Sequence, residues 1–272
     1  MTRTLGIIAG GGSFPITVAR TAKARGEKVV GVGFASDTDH AFVSHCDEFA
    51  WLKLGQLGRL IEFFTGNGVS HVVMAGPINK PRALDLRPDW RAARLLFSIK
   101  SRGDDVLLRA LTAELERNGM TVVAPHLYSP ELLAPEGVLT RRNPTDMEKE
   151  DIDFGWALSL DLGRFDIGQC LVVRERIVLA VEAIEGTDAA IRRGGQLGGQ
   201  GAVVVKRPKP TQDRRLDMPA VGLGTLKAMA EVGASCLALE AGACIFFEME
   251  LALDFANRHD IAIIALPGPL QT

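Results

Sequence analysis

The stretch that decides the fold is Leu5–Pro15, LGIIAGGGSFP, close to the first residue of the sequence. The run Thr4–Ala9 is continuously apolar and has the length of a strand, whereas Ser13–Arg25 carries apolar residues at helical spacing. Three consecutive glycines, Gly10–Gly12, separate the two patterns. A strand, a glycine-rich turn and a helix in this order predict the first step of an α/β sheet.

The glycine-rich turn also indicates a site for phosphate groups. Glycine lets the backbone approach a ligand closely, and a helix N-terminus offers N–H groups and the positive end of a dipole. Pro15 stands where the third glycine of a dinucleotide fingerprint would fall, so the match to that fingerprint is incomplete. Asp37, after the strand Lys28–Phe34, is a candidate partner for a ribose hydroxyl. The phosphate-binding candidates are Gly10, Gly11, Gly12 and Ser13.

The first half of the chain continues to alternate between strands and helices. Near-continuous apolar strands separated by helices predict a parallel sheet covered on both faces. We therefore predict a doubly wound, Rossmann-like, nucleotide-binding domain over residues 1–130. Its further predicted elements are helices at Gln56–Thr65, Trp90–Lys100 and Asp104–Asn118 and strands at Val69–Ala75 and Met120–Ala124.

Periodicity is lost between the two halves, where prolines and Gly137 punctuate the sequence. We predict a linker over residues 131–147 and a C-terminal mixed α/β domain over residues 148–272. A predicted hairpin turns at Arg174-Glu175. The remaining predicted elements are strands at Gly201–Lys206, Cys236–Leu239, Cys244–Phe247 and Ile261–Leu266 and helices near Thr187, at Thr225–Glu231 and at Glu248–Arg258.

Composition sets broad limits on function. The 272 residues carry a formal net charge of −2, which gives no electrostatic reason to expect nucleic acid as a partner. The four cysteines lack CxxC spacing and are interpreted as reduced thiols, neither a zinc site nor a disulfide framework. No apolar run reaches the roughly 20 residues of a membrane span, and the N-terminal run is too short for a secretion signal. We expect a cytoplasmic protein, with contact to a membrane surface left open.

Gly76 and Lys80 lie just after the predicted strand Val69–Ala75. In open α/β sheets this edge is where ligands bind, and the charge of Lys80 suits a phosphate. A proline-stiffened loop with a solvated lysine is an equally simple interpretation.

Three carboxylates, those of Glu182, Glu185 and Asp188, stand between a predicted strand and a helix that begins near Thr187. Asp188 has a simple role as a helix cap. Carboxylates grouped near a phosphate usually hold Mg²⁺, because like charges need a cation between them. Glu182 and Glu185 are therefore candidate metal ligands, and we group Thr187 with the substrate-binding candidates.

The densest polar segment, Lys206–Pro219, follows a predicted strand and is stiffened by three prolines. Phosphoryl transfer needs cations that neutralise phosphate oxygens and a carboxylate that holds a metal ion or orients water. A solvated loop is the commoner explanation of such a run, but the prolines favour a fixed site. The candidates are Lys206 for substrate binding and Gln212, Asp213, Arg214, Arg215 and Asp217 for catalysis.

Taken in chain order, these segments resemble a known family. The resemblance rests on LGIIAGGGSFP (Leu5–Pro15), MAGPINKP (Met74–Pro81), EAIEGTD (Glu182–Asp188), VKRPKPTQDRRLDMP (Val205–Pro219) and LEAG (Leu239–Gly242). No single segment is unique to one family, but the ordered set runs along nearly the whole chain. It is similar to UDP-2,3-diacylglucosamine pyrophosphatases of the LpxI type.

The resemblance implies a hydrolase of lipid A biosynthesis in a Gram-negative bacterium, dependent on Mg²⁺ or Mn²⁺. Such an enzyme splits UDP-2,3-diacylglucosamine into UMP and 2,3-diacylglucosamine 1-phosphate (lipid X). The catalytic aspartate of the family falls on Asp217, which is then also a candidate metal ligand, with Asp213 as the competing position. The resemblance also implies that the C-terminal domain, residues 148–272, is catalytic and lipid-binding. A lipid substrate adds contact with the inner membrane to the expectations, and a homodimer is left open.

Two other functions remain at this point. The glycine turn and Asp37 also suit an NAD(P)-dependent oxidoreductase, although Pro15 and the lack of a catalytic Tyr/Lys or His/Asp pair weaken that interpretation. A nucleotide-sugar sensor without catalytic activity would explain binding but leaves the cluster Gln212–Asp217 unexplained. Neither alternative accounts for all of the segments.

Overall fold

The chain forms two compact units in a computed structural model, which describes residues 3–78, 88–99, 104–210 and 212–268. The first unit comprises Met1–Pro130 and Arg214–Leu216. The second comprises Glu131–Asp213 and Asp217–Thr272. The residues predicted as a linker, 131–147, belong to the second unit.

Strands and helices alternate in the first unit. Its elements in chain order are β1 (Thr4–Ala9), α1 (Phe14–Ala24), β2 (Lys28–Phe34), β3 (Glu48–Leu52), α2 (Leu57–Gly66), β4 (His71–Ala75), α3 (Trp90–Ser98), α4 (Asp104–Arg117) and β5 (Thr121–Val122). Short 3-10 turns occur at His40–His45 and Pro125–Tyr128.

The described residues of the first unit contain a five-stranded parallel sheet in the order β3-β2-β1-β4-β5. Helix α1 packs against β1, β2 and β4, whereas α2, α3 and α4 share an apolar cluster with the strands. Chain order reverses between β1 and β4, and ligands bind at such a switch point, beyond the carboxyl ends of the strands. The predicted Rossmann-like parallel sheet is confirmed.

The second unit is mixed α/β, as predicted. Its elements are β6 (Gly137–Val138), α5 (Asp146–Arg164), β7 (Cys170–Arg174), β8 (Ile177–Val181), α6 (Thr187–Gly198), β9 (Val203–Lys206), β10 (Ala220–Val221), α7 (Leu223–Glu231), β11 (Cys236–Glu240), β12 (Ile245–Phe246), α8 (Met249–Arg258) and β13 (Ala262–Leu266).

The main sheet of the second unit has the order β6-β13-β11-β9-β7-β8 in the described residues. Strands β9, β11 and β13 are parallel, and the hairpin β7–β8 and the short β6 are antiparallel. Side chains of α5 pack on one face, and side chains of α6, α7 and α8 pack on the other. The carboxyl ends of the three parallel strands therefore lie at one edge of the sheet.

Helix α5, which the sequence did not predict, has two buried carboxylates. Asp151 is 5% exposed and accepts the backbone N–H groups of Glu175 and Arg176, at 3.0 Å and 2.6 Å. These two residues turn the hairpin β7–β8, and both have positive φ, which a tight hairpin turn requires. Asp151 thus stabilises the turn of the hairpin. From sequence alone, a charged residue such as this is expected at the surface.

Glu148 closes the N-terminus of α5. It forms a capping box with Thr145, and its carboxylate also accepts two hydrogen bonds from Arg142, at 2.7 Å and 2.9 Å. The hydroxyl of Ser235 donates a further bond at 2.5 Å. Burial alone would raise the pKa of Glu148, but the bonds from Arg142, Ser235 and Thr145 hold it below its ordinary value.

The cysteine side chains are mostly buried. All four cysteines are free thiols, and Cys170, Cys236 and Cys244 are buried. Burial raises the pKa of Cys46 and of Cys170 to about 12, which keeps both thiols protonated at neutral pH. Within the part of the chain that the structure describes, no helix has the length and apolar character needed to cross a membrane.

We predict that Glu148→Gln lowers the free energy of unfolding at neutral pH by about 3 kcal/mol, because the half-buried guanidinium of Arg142 loses its nearest counter-charge and keeps that of the exposed Asp260, at 3.4 Å. A lowered folded-state pKa contributes stability above the unfolded value, near pH 4.3, and this is lost as pH falls through the folded value. The difference between wild type and variant in urea unfolding should therefore shrink below about pH 4.

Glu150→Gln is the matched control on the same helix. Glu150 is 61% exposed on its side chain and pairs with Arg176 at the surface, so its loss should cost less than about 1 kcal/mol. Equal urea midpoints for Glu148→Gln and wild type at neutral pH would contradict the assigned role of the network.

Candidate functional site

The glycine turn joins β1 to α1 and is bonded to the loop that follows β4. The N–H of Gly10 donates to the carbonyl of Ala75 at 2.8 Å, and the N–H of Gly11 donates to that of Pro77 at 2.7 Å. Since β1 and β4 are neighbours, these bonds fasten together the two loops at the switch point of the sheet. Gly76 lies within this contact, whereas Lys80 lies outside the described residues.

Steric crowding explains two of the glycines. A Cβ on Gly10 would lie 2.3 Å from the carbonyl oxygen of Gly76, and one on Gly76 would lie 2.3 Å from that of Gly11. Gly12 is different: its φ is +78°, it is exposed, and a Cβ there would meet nothing within 4 Å. Gly10 and Gly76 are thus required by backbone packing, and Gly12 borders open space.

Helix α1 begins at Phe14, two residues after Gly12. Ser13 is the N-cap residue, is exposed, and makes no side-chain capping bond. The helix dipole favours an anion near such a helix start. This arrangement suits a phosphate group, as the sequence pattern predicts.

Asp37 lies in the turn after β2, where its carboxylate accepts a hydrogen bond from Ser36 Oγ at 2.6 Å. The neighbouring Thr38, which the sequence analysis did not single out, is 4% exposed. Its hydroxyl donates to the carbonyl of Ala9 at 2.6 Å and accepts the N–H of Phe34 at 2.9 Å. Thr38 therefore ties the end of β2 to the end of β1, and a lone threonine gives no sequence signal for such a role.

We predict that Gly10→Ala lowers the free energy of unfolding by about 2–3 kcal/mol, because the new methyl group meets two fixed backbone carbonyls. Urea unfolding of the purified variant measures this. Gly66→Ala is the control, since a Cβ at this residue of α2 meets nothing within 4 Å and its φ is not positive. A Gly10→Ala protein as stable as Gly66→Ala would show that the two loops are not tightly packed.

A second polar cluster lies at the end of β9 in the second unit. Lys206, 4% exposed, donates from Nζ to Thr187 Oγ1 and to the carbonyl of Ala220, both at 2.8 Å. The hydroxyl of Thr187 donates in turn to Glu182 Oε1 at 3.0 Å. Lys206, Thr187 and Glu182, all predicted site residues, thus form one chain of hydrogen bonds.

Gln212 contacts Asp217, the candidate catalytic aspartate. Its Nε2 donates to Asp217 Oδ2 at 2.8 Å and to Gln169 Oε1 at 3.3 Å, and its Oε1 accepts the N–H of Lys209 at 3.0 Å. The backbone N–H of Asp217 donates to the carbonyl of Asp213 at 3.2 Å. The carboxylate of Asp217 is exposed and held in one direction, while Asp213 is half-buried.

The two arginines between these aspartates have partners in the first unit. Arg215 donates from Nη1 to Glu116 Oε1 at 3.0 Å. Burial, and then the charge of Arg214, lower the pKa of His126. Leu216, 8% exposed, joins the apolar cluster of the first sheet. The segment Arg214–Leu216 is thus anchored in the first unit, and the aspartates on either side belong to the second.

The predicted metal ligands do not form a preformed metal site in the described residues. Among the residues with a described structure, no three His, Cys, Asp or Glu side chains are grouped as metal ligands would be. Glu185 forms an ion pair with Arg193, whose hydrogen bond lowers the pKa of that carboxyl. Mg²⁺ commonly takes one or two carboxylates and completes its shell with water and substrate phosphates. An exposed, oriented carboxylate such as Asp217 fits that requirement.

An ion pair that the sequence analysis missed lies beside Lys206. Arg207 donates from Nη2 to Glu240 Oε2 at 2.8 Å, and both side chains are 3% exposed. The guanidinium also covers the ring of Trp156, at 4.3 Å from its centre. The pair joins the carboxyl ends of β9 and β11. The sequence signal that could have predicted this pair is an arginine and a glutamate, each at the end of an apolar strand.

Comparison with known proteins bears on the whole chain. The LpxI N-terminal domain family matches residues 4–132, and the LpxI C-terminal domain family matches residues 135–264. The chain belongs to the LpxI family. The resemblance drawn from the five sequence segments is thereby confirmed at the level of the family.

A relative within the LpxI family is the UDP-2,3-diacylglucosamine pyrophosphatase LpxI of Caulobacter vibrioides. It is 32% identical over 275 residues, which cover 97% of this chain and 97% of that protein. The relationship therefore extends over both units.

Solved structures are similar only at a low level. The biotin carboxylase domain of a thermophilic 2-oxoglutarate carboxylase is 13% identical, with a TM-score of 0.29, covering 74% of this chain and 34% of that one. The biotin carboxylase subunit of a pyruvate carboxylase is 12% identical, with a TM-score of 0.28, covering 73% and 43%. At these TM-scores neither likeness bears on the fold or the site.

Proposed function

We propose that this chain hydrolyses the pyrophosphate bond of UDP-2,3-diacylglucosamine to UMP and 2,3-diacylglucosamine 1-phosphate (lipid X), a step of lipid A biosynthesis in the cytoplasm. The observation that carries the proposal is the near full-length relationship to a protein with that named activity. Two polar sites at sheet edges, one in each unit, support it.

The first unit supplies groups that suit the nucleotide. Gly12 is exposed and borders open space, and the positive end of the α1 dipole lies directly after it, which favours the negative oxygens of a pyrophosphate. Asp37, in the turn after β2, remains our candidate for a ribose hydroxyl. No step of the chemistry is assigned to this unit.

The second unit supplies the chemistry. Water must lose a proton as it attacks phosphorus, and the exposed carboxylate of Asp217 is suited to accept that proton or to orient the water. The amide of Gln212 fixes this carboxylate, and Gln169 fixes the amide, so Asp217 keeps its direction before substrate binds. Lys206 and Thr187 are locked to each other, and we assign them to shaping the site.

We also propose a divalent cation, Mg²⁺ or Mn²⁺, held by Asp217 and by oxygens of the substrate. When bound, the cation neutralises charge on the pyrophosphate oxygens and on the departing phosphate. Glu182 and Glu185 remain predicted ligands. In the structure their oxygens accept hydrogen bonds from Thr187, Arg193 and backbone N–H groups.

The activity itself is the first test. Purified protein mixed with UDP-2,3-diacylglucosamine and Mg²⁺ should release UMP, measured by chromatography, and EDTA should abolish the release until Mg²⁺ is restored. Turnover that survives thorough chelation would refute the cation. Binding without turnover would favour a nucleotide-sugar sensor, and a fluorescence change with NAD(P)H instead of hydrolysis would favour an oxidoreductase.

Asp217→Asn tests the assigned carboxylate. Asparagine keeps the shape and can still accept the Gln212 hydrogen bond, but it loses the charge. We predict that kcat falls by about 10²–10⁴, as for a positioned acid–base group, with a small change in KM and unchanged urea unfolding.

Asp213→Asn is the control for the same segment and should keep most of the turnover. An inactive Asp213→Asn protein beside an active Asp217→Asn protein would assign the role to Asp213. If both variants stay active, the reacting carboxylate lies elsewhere, and Glu182 becomes the next residue to replace.

A further inference from the structure

Helix α3 carries aromatic side chains on the face turned away from the core. Ala92 is 6% exposed and joins the apolar cluster of the first unit, against which Leu95 also packs. On the opposite side, Trp90 is 82% exposed and Phe97 is 91% exposed. Residues four and seven positions apart share one face of a helix, so Arg94 lies between the two rings.

The exposed stripe of α3, formed by Trp90, Arg94 and Phe97, is also positively charged. The helix contains Arg91 and Arg94 and no acidic residue. Asp89, its N-cap, uses its carboxylate inside the unit, where it accepts the N–H of Gly58 at 2.7 Å and that of Ala92 at 2.9 Å. The stripe therefore presents two aromatic rings and the cationic side chain of Arg94, with no carboxylate on the same helix, while Arg91 beside it donates to Asn118 Oδ1 at 3.3 Å.

This combination is typical of a helix that lies in a membrane interface. Single exposed apolar residues are common on protein surfaces, but two large rings on one stripe with arginines are characteristic of interfacial segments. Tryptophan and phenylalanine enter the boundary between headgroups and acyl chains, and arginine binds anionic phosphates. With nine residues, α3 is too short to cross a bilayer and suits the interfacial plane.

The positive charge of the stripe favours a membrane over a second copy of the chain as its partner. A two-fold dimer through this stripe would bring the same surface of both copies together, and Arg94 would then lie near its own counterpart. Like charges facing each other across an interface are unfavourable. An anionic surface complements the stripe, whereas a copy of itself does not.

We propose that the exposed stripe of α3 docks the protein on anionic phospholipid membranes. The physiological reason rests on the proposed function, because a substrate with two acyl chains is reached at a membrane. The docking itself needs neither substrate nor turnover, so it can be tested alone.

The test uses the full chain and sedimentation with vesicles of phosphatidylcholine, with and without phosphatidylglycerol. Wild type should bind the anionic vesicles, more weakly as salt rises, and bind the neutral ones poorly. The double variant Trp90→Ser/Phe97→Ser should bind at least about tenfold more weakly. Arg94→Gln should lose about fivefold, the equivalent of one arginine at an anionic surface.

Phe165→Ser is the matched control, since Phe165 is also largely exposed, at 76%, but lies in the second unit. It should bind vesicles as wild type does. Far-ultraviolet circular dichroism and urea unfolding check that all variants fold. Equal binding by wild type and Trp90→Ser/Phe97→Ser, or no binding of wild type to anionic vesicles, would overturn the proposal.

Trp90 supplies an optical readout of the same event. Its emission should shift to shorter wavelength with anionic vesicles and be quenched by brominated acyl chains, and Trp90→Phe should bind normally while losing both signals. A concentration-dependent dimer in sedimentation velocity that Phe97→Ser splits, without any vesicle binding, would overturn the proposal in favour of a second copy.

Turnover separates docking from the proposed reaction. With substrate in detergent micelles, Trp90→Ser/Phe97→Ser should match wild type, because the stripe is outside the assigned catalytic groups. With substrate in anionic vesicles the variant should be at least about fivefold slower. If neither protein hydrolyses the micellar substrate, the proposed function fails while the vesicle-binding result stands.

Discussion

At the carboxyl ends of β1 and β4, two backbone segments pass so close together that neither Gly10 nor Gly76 has room for a Cβ. Two hydrogen bonds across the contact hold one loop against the other. Because α1 begins directly after the first loop, the same contact sets the direction in which its uncapped N-terminus points. The glycines are thus a packing requirement in the first place, and the position of the start of α1 follows from this packing.

The second unit positions its polar groups by another means, through charges buried at one edge of the sheet. Lys206, Arg207 and Glu240 all lie at strand ends and are almost fully buried. Removing charges from water costs free energy that an ion pair only partly returns, so they add little net stability. Their effect is geometric: Lys206 fixes Thr187 and the Ala220 carbonyl, and Arg207 is held between Glu240 and Trp156.

Local patterns predict the elements whose side chains are buried on both faces. β1 and β2 extend over Thr4–Ala9 and Lys28–Phe34, as expected from their continuous apolar runs. β3 was missed because it is an edge strand with only one buried residue, Leu52, and α5 was missed because its buried face contains Glu148 and Asp151. The predicted strand ends also agree with the structure: Gly76 follows β4 directly, and Arg207 follows β9. Long-range pairs are not contained in local patterns: Arg207 and Glu240 are 33 positions apart.

The segment Arg214–Leu216 affects folding during synthesis as well as the folded structure. Leu216 fills a place in a core whose other members all precede residue 131. During synthesis those residues leave the ribosome first, so the first core lacks one of its apolar side chains until most of the second unit has been translated. For the same reason, neither unit is a continuous piece of chain, and a cut after Pro130 would separate the first unit from part of its own interior.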